Sequence, residues 1–110
     1  MMQKLTFEIS REAAPNVYAI RLVDERQIAR ILMAEGFAKP FPLKPLRVVY
    51  DEGGDEIAPV SGFDDQSAQG RIELAILNSV YRDALARIQE MNVAASTQKF
   101  DSGQMQVFHY

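Results

Sequence analysis

The chain has 110 residues, 47 % of them apolar and 25 % charged, which suits one globular domain with one core and argues against wholesale disorder. Its formal net charge of −3 argues against a generic nucleic-acid binder, because such proteins draw their affinity from a basic excess. Cysteine is absent, which removes disulfides, thiolate metal sites and a thiol nucleophile together and suits a reducing, cytoplasmic setting.

The charge is unevenly placed. Residues 1–50 carry eight Lys/Arg against five Asp/Glu, residues 51–65 carry six acids and no base, and the remainder balances at four and four. No run of about eighteen apolar residues is present, so no membrane partner is expected. Residues 1–10 alternate apolar with polar and lack the hydrophobic stretch of a signal peptide.

Leu5, Phe7 and Ile9 alternate with Thr6, Glu8 and Ser10, the period of a half-buried strand. Pro15 punctuates the chain, and Val17 to Leu22 is expected to run back as a second strand with Tyr18, Ile20 and Leu22 on one face. Asp24 followed by Gln27 has the spacing of a capping box, with Val23 and Ile28 at the positions of a hydrophobic staple. Ile28, Ile31 and Leu32 form an apolar stripe and Gly36 supplies a left-handed stop, so a helix is predicted over Glu25–Glu35.

Three prolines at 40, 42 and 45 make the next segment an extended connector. Leu46 to Tyr50 reads as a third strand. Gly53-Gly54 suits a two-residue hairpin loop with positive φ at both glycines, pairing Tyr50 with Ile57 and Val48 with Pro59. Pro59 marks that fourth strand as an edge.

The longest regular pattern runs from Ser67 to Asn92. Ile76, Val80, Ala84 and Ile88 recur every four residues, with Leu77, Tyr81 and Leu85 beside them, as on an amphipathic helix capped by Asp65 or Ser67. Such a helix is roughly 36 Å long, more than a domain of this size needs for itself. The period fades at Ala94-Ala95-Ser96-Thr97, and Gln104 to Tyr110 alternates as a final strand. The expected fold is a single α+β domain over residues 1–110. It has a mostly antiparallel sheet of about five strands with two helices packed on one face, in the order β-β-α-β-β-α-β.

Candidate chemistry is sparse. Glu73 falls within the apolar arc of the long helix, and a carboxylate buried there would have a raised pKa and could act as acid or base. More often such an acid simply complements the helix dipole. A pocket between helix and sheet, lined by Tyr18, Tyr50, Tyr81 and Glu73 with Arg87 at its border, is the candidate binding site. His109 is the sole histidine and penultimate, a poor anchor for a triad or a zinc site. The acids of 51–65 lack calcium-loop spacing, so no metal is expected. Asp51, Glu52, Asp55 and Glu56 instead form a negative tip suited to steering a basic partner. Phe37 and Phe41 among Lys39, Lys44 and Arg47 resemble a base-stacking platform, but two aromatics fit core packing better.

These features favour a non-catalytic binding or interaction module. It would act as a homodimer that engages a protein or small-molecule partner, without cofactor or nucleic acid. The alternative is a small enzyme or ligand-binding fold using Glu73.

Overall fold

The computed structural model describes residues 5–60 and 62–101, with side chains through Val93. Four strands and two helices follow in order: β1 (Phe7–Arg11), β2 (Val17–Leu22), α1 (Glu25–Ala34), β3 (Leu46–Asp51), β4 (Glu56–Pro59) and α2 (Ala68–Asp101). The sheet is an antiparallel meander of order β1-β2-β3-β4, with α1 carrying the chain from β2 to its neighbour β3. This is an α+β fold. The described sheet has four strands rather than about five, and the final strand expected over Gln104 to Tyr110 lies outside the described residues.

Alternation decides which side of the sheet is covered. Tyr18, Ile20, Leu46, Val48, Tyr50 and Ile57 point inward and are buried. The register stacks them in rows, Ile20 beside Leu46 and Tyr18 beside Val48. Tyr50 pairs with Ile57 and Val48 with Pro59, as the hairpin expectation required. Both helices lie on this inner face.

Helix α1 is held at each end by side chain and backbone. Asp24 Oδ1 accepts hydrogen bonds from the amides of Arg26 (2.9 Å) and Gln27 (3.4 Å). Gln27 is itself buried, and its Oε1 accepts the Thr6 amide at 2.6 Å, so the second half of the capping motif ties α1 to the start of β1. Val23 is 48 % exposed and buries little as a staple. At the far end Gly36 has φ +93°, its amide donates to Met33 O, and the Phe37 amide donates to Leu32 O. These two bonds make a Schellman stop, which only a residue tolerant of positive φ completes cheaply. The connector of residues 40–45 has no regular structure, and it turns Phe41 onto Phe37 edge to face, ring centroids 5.1 Å apart. Both rings pack against the core, which accounts for these aromatics as packing.

The hairpin between β3 and β4 departs from expectation. Its last pair is Asp51 with Glu56, leaving a loop of four residues, and the positive φ (51°) falls on Asp55 rather than on the glycines. Asp51 is the cause. Its Oδ1 accepts the amides of Gly53 (3.0 Å) and Gly54 (3.3 Å), and this Asx turn sets the loop's path.

Ser67 caps α2, its Oγ accepting the Gly70 amide (3.0 Å) while donating to Asp64 O (3.0 Å). From there Ile72, Ile76, Leu77, Val80, Ala84 and Ile88 are buried, with Tyr81 and Leu85 half-buried beside them. The helix does not stop near Asn92. It runs 34 residues to Asp101, because no Gly or Pro interrupts it after Gly70 and Ala94-Ala95 are strong helix formers. Loss of the apolar period did not end the helix. At about 51 Å, α2 dictates the shape, which measures 58 × 25 × 24 Å. The radius of gyration, 16.6 Å, exceeds the roughly 13 Å of a compact chain of this length.

Gly70 deserves a test because a Cβ there would collide with the Asp64 backbone. Alanine within a helix ordinarily stabilises relative to glycine. Here Gly70→Ala is expected to destabilise by about 1–3 kcal/mol, whereas Gly62→Ala, with open space around it, should stay within about 0.5 kcal/mol. Ile88→Ala should cost about 2–5 kcal/mol. Urea midpoints measure all three, and a stabilised Gly70→Ala would contradict the close approach.

Candidate functional site

The residues of the expected tyrosine pocket divide, with Tyr18 and Tyr50 on neighbouring strands and Glu73 near the start of α2. Tyr18 and Tyr50 are core residues, 2 % and 6 % exposed, and Tyr81 is half-buried. The Tyr50 hydroxyl lies level with Gln89, whose side chain hydrogen-bonds to it. Glu73 sits sixteen residues earlier, about 24 Å along the axis. It is half-buried and lines a groove of about 200 Å³ with Lys44, Arg47, Pro59, Val60 and Gln69, at the other end of the sheet. The structure therefore does not bring Glu73 together with Tyr50. Arg87 is exposed and lines a different groove, of about 370 Å³, between α2 and the start of β1.

Where the sequence suggested an acidic tip, the structure shows an anchored one. Tyr50 donates its hydroxyl to Asp55 Oδ1 at 3.1 Å. Asn92 Nδ2 donates to Glu52 Oε1 at 2.8 Å, bridging forty residues from α2 to the hairpin. Asp51 holds the two glycine amides from within the loop. Three of the four tip carboxylates are thus oriented by bonds of their own, and all four residues remain exposed. Burial, followed by the Asp55 carboxylate that accepts its hydrogen bond and by the Glu52 charge, raises the Tyr50 phenol above its ordinary value of 10.0. The hydrogen bond from Gln89 works in the opposite direction.

Asn92 and Gln89 were not singled out from the sequence. The available signal was their spacing, two amides three apart that directly follow Ile88. Among the described residues no group of three or more Asp, Glu or His side chains is arranged to hold a metal ion. No helix among them is long and apolar enough to cross a membrane. His109 lies outside the described residues. Arg47, a member of the basic-aromatic segment, pairs with Glu12 at 3.3 Å.

No protein-family model, curated protein or solved structure matches the chain.

The Tyr50 shift has a sign that can be checked. A phenol raised in the folded state contributes stability that is complete below its unfolded value and is lost as pH rises through the folded one. Over the alkaline interval that begins at the phenol's ordinary value of 10.0, wild-type stability should therefore fall with a component that Tyr50→Phe lacks. Urea midpoints of the two proteins across that interval test this, and parallel curves would refute the buried, Asp55-bound phenol.

Proposed function

We propose that the chain is a non-catalytic interaction module that acts as a homodimer and engages a protein or small-molecule partner. One observation carries the reading. Both helices occupy the same face of the sheet, so among the described residues nothing covers the opposite face or the free edges of the outer strands. On that open side Val49 is 38 % exposed and Val60, just past β4, 44 %. Apolar surface of this kind, rimmed by charged residues, is what docking uses. The ion pair Arg21–Glu8 (3.4 Å) and the pair Arg47–Glu12 supply such a rim.

The anchored tip of Asp51, Glu52, Asp55 and Glu56 adds a fixed negative field. Loop ordering there has been met within the fold, so a basic partner would not bear that entropy again. A cysteine-free chain suits a reducing cytoplasm, where such modules work. The enzyme reading has only the half-buried Glu73 in its favour, and among the described residues its groove holds no second acid, histidine or hydroxyl to share the chemistry.

Sedimentation at tens of micromolar provides the test. A species of twice the 12.4 kDa chain mass is expected. A monomer at that concentration would remove the homodimer from the reading.

A further inference from the structure

The two edges of the sheet are chemically unlike. At the ends of the β1–β2 ladder the Val23 amide donates to Thr6 O and the Glu12 amide donates to Val17 O. Between them the register runs from Phe7 opposite Leu22 to Arg11 opposite Tyr18. In an antiparallel ladder every second residue exchanges both backbone bonds with its partner. Thr6, Glu8, Ser10 and Glu12 therefore face β2, while Phe7, Ile9 and Arg11 aim their N–H and C=O groups away from the sheet.

On β4 the Val60 amide donates to Arg47 O, and Tyr50 stands opposite Ile57. The same phase leaves Ile57 and Pro59 facing outward. Pro59 has no N–H, so this edge is blunted against strand addition. The β1 edge carries no proline and presents three residues in unbroken phase.

Resting on the homodimer reading, we infer that β1 is the seam: it pairs antiparallel with β1 of a second copy about a two-fold axis at Ile9, joining two sheets into one of eight strands. Outward residues must meet outward residues, and the register centred on Ile9 uses all three. It forms on the order of six main-chain hydrogen bonds. Ile9 then meets its own copy, Phe7 stands opposite the partner subunit's Arg11, and Glu8 opposite the partner subunit's Ser10. No like charges face each other.

The surroundings agree with a second copy as the occupant. Phe7 and Ile9 are only half-buried within one chain, so apolar surface remains along this edge. The neighbouring groove sets Arg87 between Asp83 and Glu90 on α2. A two-fold axis turns such a row against its own reverse, which lets each arginine approach an acid of the other copy.

Ser10 provides the test, because it is exposed and faces only Ala19 within its own sheet. Ser10→Glu opposes two like-charge pairs across the seam, and Ser10→Lys makes two attractive ones. The glutamate variant should raise the dimer Kd roughly two- to thirty-fold at low salt, and the lysine variant should lower it by a similar factor. Sedimentation equilibrium reads both, with circular dichroism confirming the fold. A wild-type dimer whose Kd ignores both substitutions overturns the β1 seam and leaves the homodimer standing. A wild-type monomer overturns both.

Discussion

The buried row of α2 is the contact on which the rest of the molecule depends. Ile72, Ile76, Val80, Ala84 and Ile88 descend one side of the helix at four-residue spacing, each at most 4 % exposed. They lie over Tyr18, Ile20, Leu46, Val48 and Tyr50, the inward residues of the two central strands. A four-stranded meander alone exposes too much apolar surface to persist, and a lone helix is marginal in water. Each element becomes stable on the other. Once α2 is laid on that face, α1 and the connector aromatics Phe37 and Phe41 can only fill what remains beside it.

That constraint also sets the surface. With both helices drawn to one side, the described residues leave the other side of the sheet as an alternation of small apolar residues and charged pairs. The helix continues to Asp101 because nothing in its sequence after Gly70 breaks the backbone. The hairpin tip is drawn into this arrangement through Asn92 and Glu52, 2.8 Å apart, and through Tyr50, whose hydroxyl reaches Asp55. The acidic loop is therefore part of the helix–sheet contact rather than an appendage to it. A partner meeting this tip would meet a charge pattern already ordered.

Much of the fold was legible from residue order, for local reasons. Asp24 and Gly36 bounded α1 because capping and a left-handed stop involve only neighbours. The pairings of Tyr50 with Ile57 and Val48 with Pro59 followed from a turn centred between Gly53 and Gly54, whatever the loop's own conformation. That conformation was misjudged, since Asp51 competes for the glycine amides and shifts the positive φ to Asp55. The end of α2 was misjudged for another reason. Amphipathic periodicity reports a core-facing stripe, and a helix without breakers continues past the end of that period.

The candidate site was less legible, because proximity across elements is not written in spacing. Glu73 and Tyr50 look compatible on a helical wheel, which discards distance along the axis, and the fold sets them at opposite ends of the sheet. By itself the sequence determined the elements, their inward faces and the acidic character of the hairpin, since these follow from neighbour chemistry and period. Only the tertiary structure decided which carboxylates are anchored, that Gln27 reaches back to Thr6, and that, among the described strands, β1 presents an outward phase without proline while β4 is blunted by Pro59. Those outcomes depend on register and on helix placement, which are set by long-range packing.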